Sequence, residues 1–134
     1  RTSSFIRKPA KELKKTFSAE PLNLTGMHSP KWSGLASFQA IDVRPKKFGS
    51  KETIVFLRSG GKTCSRRRPK SSTYAVGLSK CPPRGMAALD TEVAGRFYRR
   101  DCLSVAREKY IRVQRSFKKK KARSTKSGAK RAGK

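Results

Sequence analysis

What this sequence has least of is acid. Eight Asp and Glu stand against 35 Lys and Arg in 134 residues, a net charge of +27. General acid–base chemistry needs carboxylates or imidazoles placed together. Here the acids are scattered, and several have evident local duties in capping or in helix ion pairs. Histidine is nearly absent: His28, in the loop-like stretch "TGMHSPKW", stands alone. The three cysteines, Cys64, Cys81 and Cys102, are odd in number, widely spaced and form no Cys-x-x-Cys pair. That argues against both a disulfide framework and a zinc site; they read as reduced thiols of an intracellular protein. No apolar run approaches the 18 residues of a membrane span, no secretory apolar region is visible, and neither end carries a lipidation signal. Nucleophile-elbow and zincin signatures are missing too. The expectation is a protein that is not an enzyme, with no cofactor, no metal and no small-molecule substrate.

One stretch imitates a nucleotide-binding loop. "TIVFL" leads into "RSGGKTCSRRRPKSS", so that Gly61, Lys62 and Thr63 fill the end of a G-x-x-x-x-G-K-[ST] pattern. The first glycine of that pattern falls on Phe56, and Pro69 follows where a phosphate-binding helix has to begin. The backbone wrap around the phosphates needs both features. Nucleotide chemistry is therefore rejected, while the affinity of the arginines for phosphate remains.

Two regions differ in composition. Residues 118–134, "KKKKARSTKSGAKRAGK", hold no acid and no large apolar side chain. Such a tail has too little apolar surface to offset chain entropy and is expected to be disordered on its own. Residues 1–117 are the expected folded domain, and they too are strongly basic. Within them "LASFQAIDV" (35–43), "TIVFL" (53–57) and "TYAVGLS" (73–79) read as strands, the last with Tyr74, Val76 and Leu78 alternating onto one face. The links between them, "RPKKFGSK" and the glycine–arginine loop, are too short for crossover helices, so an antiparallel meander is expected. Beyond "CPPRG", where the prolines stop the strand, Leu89, Val93 and Phe97 make one helical stripe. Asp101 is placed to cap a second helix. Its stripe is Leu103, Ala106, Tyr110, Val113 and Phe117, with Glu108 and Arg112 in the favourable i,i+4 order. Arg107, Arg112 and Arg115 lie off that stripe, which gives an apolar inner and a basic outer face. The first third is expected to be loops with a strand or two, and "AKELKK" (10–15) a short helical turn. The fold class is α+β: a small antiparallel β-sheet covered by two C-terminal helices.

So large a positive charge repels itself and calls for a polyanionic partner. The cations gather in the expected loops and ends: Lys31 beside Trp32; Lys46 and Lys47 in one link; Arg66, Arg67, Arg68 and Lys70 in the next. Lys118, Lys119, Lys120, Lys121, Arg123 and Lys126 continue them into the tail. Arginine's planar fork suits phosphate, and Trp32 either stacks on an unpaired base or packs as a core or edge aromatic. No zinc-finger, RRM, KH or basic-zipper signature is present, so reading DNA by sequence has no instrument. Phosphate- and shape-led binding to structured RNA fits better. An anionic membrane surface is the rival; it usually needs an amphipathic anchor or a lipid, and no lipidation signal is visible.

The order of segments also resembles a known family. Ser3-Ser4-Phe5 is followed by "FSAEPLNL" (17–24), with Phe17, Ser18, Glu20, Pro21, Asn23 and Leu24 matching a recurring pattern. "SPKWSGL" (29–35) then precedes a strand holding Ala40 and Ile41. A second strand, a basic proline-bearing loop, a "TY" strand, two helices meeting near "YRRDCL" (98–103) and a lysine-rich tail complete the series. This is similar to the eukaryote-specific large-subunit ribosomal proteins of family twenty-eight, the "e" type. The resemblance implies a structural constituent of the cytosolic ribosome that binds large-subunit rRNA beside neighbouring ribosomal proteins, without catalysis, after nucleolar passage during assembly. It also implies a short apolar, Trp-bearing segment ahead of Arg1. A sister family of nucleolar assembly factors usually adds a cysteine-bearing extension and acidic stretches, which this sequence lacks. A nuclear pre-ribosome or chromatin-type protein is the alternative reading.

Overall fold

The structure, a computed structural model, describes residues 4–7, 15–60 and 72–117. Two short strands, β1 (Ile6–Arg7) and β2 (Phe17–Ser18), pair antiparallel. A second sheet has the order β3–β4–β5, built from Ile41–Phe48, Lys51–Ser59 and Thr73–Leu78, antiparallel throughout. Helices α1 (Pro82–Asp90) and α2 (Leu103–Ser116) pack against it. This is the expected α+β arrangement of an antiparallel sheet covered by two C-terminal helices. The basic tail and "AKELKK" (apart from Lys15) lie outside the described residues.

The central strand β4 supplies the middle of the core, with Ile54 and Phe56 fully buried. Val43 from β3, Leu89, Val93, Ala106 and Tyr110 from the helical side close over them. Phe56, the residue that fails the glycine position of the nucleotide-loop pattern, is thus a core side chain. The α2 stripe forms as its spacing dictates: Ala106 and Tyr110 are fully buried, and Leu103, Val113 and Phe117 pack at the margin. The buried Tyr110 hydroxyl donates to the Ser79 carbonyl at 2.6 Å, tying α2 to the end of β5. Burial raises the pKa of Tyr110, so the phenol remains a neutral donor.

Four expectations change. The first strand begins at Ile41, not at residue 35, and runs through "RPKKF" to Phe48; those residues are strand rather than link. Pro45 fits because β3 is an edge strand, where a missing N–H breaks no ladder. The period-2 signal is missing there because residues 44–50 are exposed on both faces. Second, the two prolines that end β5 also open α1 in its first turn, where a missing N–H costs nothing.

Third, Phe97 does not continue the Leu89–Val93 stripe. After α1 the chain widens into a π-helical turn, Thr91–Gly95, and the Tyr98 N–H bonds the Val93 carbonyl five residues back at 2.9 Å. Phe97 and Arg99 then take left-handed backbone angles, φ 53° and 51°. The effect is to swap neighbours: Tyr98 enters the core and Phe97 is left 75% exposed. Fourth, Asp101 lies within a short 3₁₀ turn, Arg100–Cys102, and caps nothing. Its carboxylate instead takes two N–H groups of the Arg99 guanidinium, at 3.1 and 3.2 Å.

The "FSAEPLNL" and "SGL" segments fold onto each other. Asn23, nearly fully buried, donates to Glu20 Oε1 at 3.1 Å and to the Met27 carbonyl at 2.9 Å, and accepts from the Gly26 N–H at 2.7 Å. Ser33 donates to the other Glu20 oxygen at 2.8 Å. Gly34 is held so close that a Cβ there would lie 2.0 Å from the Pro21 carbonyl oxygen and 2.6 Å from Leu22 Cβ. The residues that make the sequence recognisable are therefore a polar knot with a glycine-only contact. They shape the domain.

Asp42 joins this knot region to α2. It is fully buried and accepts from the Val43 N–H at 2.8 Å. Its carboxylate pairs with Arg44 and with Lys109, which also donates to the Asn23 carbonyl at 3.3 Å. A buried charge is tolerated only when paired and hydrogen-bonded, and Asp42 has both.

Candidate nucleic-acid interface

The described acids are all engaged inside the protein. Asp42 holds Arg44 and Lys109; Asp90, Glu92, Asp101, Glu108 and Glu52 hold Arg107, Arg96, Arg99, Arg112 and Lys47. Glu20 is taken by Asn23 and Ser33. The remaining described cations have no carboxylate at ion-pair distance among the described residues. They leave the described surface strongly positive.

Strands β3 and β4 outrun β5, whose last residue Leu78 pairs with Ile54. Beyond that rung the pairs Lys46–Thr53, Lys47–Glu52 and Phe48–Lys51 have no third strand. They form a two-stranded arm closed by a tight turn, with Gly49 in the left-handed region at φ 57°. Lys46, Lys47, Phe48 and Lys51 are all exposed on it. Lys46 Nζ lies 4.6 Å from the Phe48 ring centroid, and Lys47 is held only loosely by Glu52 at 3.5 Å. Lys46 and Lys47, read from sequence as link residues, are thus presented by a hydrogen-bonded ribbon.

α2 ends near the base of this arm. Lys80, two residues past β5, sits 5.0 Å from the Phe117 ring. Arg115 is exposed with no carboxylate among the described residues, and Arg112 is held only by the solvent-exposed Glu108 at 3.4 Å. Arg107 is different: its fork meets Asp90 in two bonds, 2.9 and 2.7 Å, and so links α2 to α1. These bonds and the Asp90 charge raise the Arg107 pKa.

The opposite end of the sheet carries a second group. Lys31 is exposed and its Nζ lies 5.1 Å from the Trp32 ring, while Trp32 is half-buried against the core. Arg99 reaches across to the carbonyls of Gln39 at 3.0 Å and Lys31 at 3.4 Å. Partial burial by itself would raise the pKa of Asp101. The hydrogen bonds from Arg99 and Cys102 and the Arg99 charge outweigh it, and the pKa is lowered. Cys102, buried and hydrogen-bonded to Asp101, is pushed up and stays a thiol. Arg58 lies between the Tyr74 and Tyr98 rings, 4.5 and 5.8 Å from their centroids. The Tyr98 hydroxyl donates to the Ser59 carbonyl at 2.9 Å, beside the point where the glycine–arginine loop leaves β4.

Of the residues singled out from sequence, Arg66, Arg67, Arg68 and Lys70 lie outside the described residues, as do Lys118, Lys119, Lys120, Lys121, Arg123 and Lys126. Sequence reasoning passed over Lys51, Phe48, Lys80, Arg100 and Phe97. For the arm, the pairing of aromatic with lysines in "KKFGSK" was the available signal; for Phe97 the local spacing pointed the wrong way.

No group of three or more His, Cys, Asp or Glu among the described residues is placed to hold a metal ion. No described helix is long and apolar enough to cross a membrane. What the described residues offer is a basic surface on a small α+β fold, and over residues 1–116 the sequence matches the ribosomal L28e protein family. The chain belongs to that family, and is accordingly a ribosomal protein of the large subunit, part of the ribonucleoprotein that carries out translation.

Proposed function

We propose that this protein is a structural, non-catalytic constituent of the large subunit of the eukaryotic cytosolic ribosome, and that it clamps rRNA from several sides of one rigid domain. The observation that carries this reading is the β3–β4 arm. It is a basic ribbon whose residues 44–51 are all exposed, and it has no apolar partner face. Lys46, Lys47 and Lys51 contact phosphates from the arm. Lys31, Arg112 and Arg115 add contacts from the body, and Arg107 holds the two helices together so that α2 keeps its outer face presented. Arg66, Arg67, Arg68 and Lys70, between β4 and β5 in the sequence, add phosphate contacts of their own. Residues 1–117 act as the folded clamp, and the lysine-rich 118–134 tail orders only in the RNA groove it enters. Neighbouring large-subunit proteins complete the site, and the protein passes through the nucleolus on its way to the cytoplasm.

The test is the salt dependence of binding between the full chain and deproteinised large-subunit rRNA. Phosphate contacts release counterions, so affinity falls steeply as salt rises. Replacing Lys46, Lys47 and Lys51 with Ala lowers the slope by roughly one for each phosphate no longer bound, with the fold unchanged because these side chains are exposed. A flat salt dependence in the unaltered protein refutes the rRNA reading. Loss of the protein from large subunits on a high-salt gradient favours the assembly-factor alternative instead.

A further inference from the structure

We propose that Phe97 is a stacking platform for one unpaired base of the rRNA, with Arg100 as its cationic flank; this rests on the rRNA reading above and names an element of it. Phe97 is 75% exposed, more than any other large apolar side chain among the described residues. Its exposure is enforced by the backbone. Phe97 and Arg99 both have left-handed angles, which cost free energy for any residue other than glycine and persist only where the surroundings hold them. The surroundings do so here. Tyr98 is anchored by its N–H to Val93 and by its hydroxyl to Ser59, and Arg99 is fastened to Asp101, Gln39 and Lys31. A ring held outward on a strained, fixed turn loses little entropy on being covered.

The chemistry around it favours a base over an apolar protein pocket. The Arg100 guanidinium carbon lies 4.9 Å from the Phe97 centroid, and Arg100 has no carboxylate among the described residues. A hydrophobic pocket large enough to take Phe97 has to desolvate that unpaired charge, which is costly. A nucleotide accepts both groups: the base stacks on the ring, and its phosphate takes the guanidinium. Trp32, the aromatic that sequence alone offered for stacking, is half-buried against the core. Phe97 offers far more free ring surface.

Phe97→Ala, Phe97→Leu and Phe97→Trp in the full chain separate the possibilities, measured as affinity for deproteinised large-subunit rRNA across a salt series. Stacking predicts that Ala and Leu both weaken binding roughly 5- to 150-fold, that Trp preserves it, and that none of the three changes the salt slope. Leu binding as well as Phe, or Ala binding as well as Phe, overturns the proposal. Steep salt dependence in the unaltered protein with no effect of Phe97→Ala removes the stacking platform alone and leaves the rRNA reading standing. Urea midpoints of the three variants should match the unaltered protein, since the ring packs against nothing in the core. In assembled large subunits, a benzophenone amino acid at position 97 should crosslink to a nucleotide; a crosslink to another protein overturns the proposal.

Discussion

Replacing Asn23 with Ala tests the polar knot directly, and its size follows from the structure. Three of the carboxamide's hydrogen bonds set the scale, to Glu20 Oε1 at 3.1 Å, to the Met27 carbonyl at 2.9 Å and from the Gly26 N–H at 2.7 Å; a fourth, from the Thr25 hydroxyl at 3.5 Å, is long and adds little. Ala leaves all three without that partner. A buried group left unmet costs about 1–3 kcal/mol. The Met27 and Gly26 side is only partly buried, so water recovers some of the loss and the low end applies, for a total of about 3 kcal/mol. Against a whole-domain stability of about 5–15 kcal/mol that is a large fraction. It corresponds to a fall in melting temperature on the order of 10 °C. Urea and thermal melts followed by circular dichroism measure it; a loss below about 1 kcal/mol means that water replaces the amide and that the knot does not hold the segment. Asn23→Asp sharpens the test. It keeps the acceptor for Gly26 but sets a carboxylate oxygen against Glu20. Two carboxylates at one site bind a shared proton more tightly than they do in the unfolded chain. The native state of this variant therefore binds more protons than the unfolded state, and its stability relative to the unaltered protein falls as pH rises. The variant should approach the unaltered protein near about pH 4 and lose ground toward neutrality. A difference that is flat with pH refutes the contact between residue 23 and Glu20.

Gly34→Ala should destabilise by about 2–3 kcal/mol, because the new methyl meets the Pro21 backbone and Leu22, which have nowhere to move; an unchanged urea midpoint contradicts the close approach. The Arg99–Asp101 pair contributes stability that is full above the ordinary Asp value and is lost as pH falls through the lowered value in the fold. Asp101→Asn should therefore reduce the loss of stability on acidification below about pH 4, read from urea midpoints across an acid series. In the native protein a maleimide should label Cys81, which is exposed, and spare Cys102, whose thiol is buried and pushed up by burial and Asp101; peptide mapping that finds Cys102 labelled at the same rate shows that the Arg99 turn opens readily.

The elements that were legible in the sequence are those with an apolar run or a regular apolar stripe. The run "TIVFL" marks β4, whose Ile54, Val55 and Phe56 are all buried, and the α2 stripe buries Ala106 and Tyr110; on β5 Leu78 is buried as its alternation demands, while Tyr74, on the same face, is left exposed. The arm was not legible: a ribbon exposed on both faces has no apolar period, and Pro45 and Gly49 read as a loop. Phe97 misled because spacing reports only a continuous helix, and the π-helical turn shifts the register so that Tyr98 takes the inward place. Asp101 had the right residue type for a cap, but a guanidinium two residues away offered it a two-pronged partner.

Composition by itself determined that this chain needs a polyanion, because so many like charges on one small body cannot be balanced from within. The motif series determined its family. Which cations are paired within the protein was decided only by the tertiary structure. Arg44, Arg99, Arg107 and Lys109 look in sequence like any other basic residues, yet the fold brings buried or nearby carboxylates to each of them. Lys46, Lys51, Arg100 and Arg115 find none among the described residues. Lys109 meets Asp42 and Arg107 meets Asp90 across elements far apart in the chain, where no local pattern records them; Arg44 and Arg99 lie two residues from Asp42 and Asp101, yet only the fold turns those carboxylates toward them.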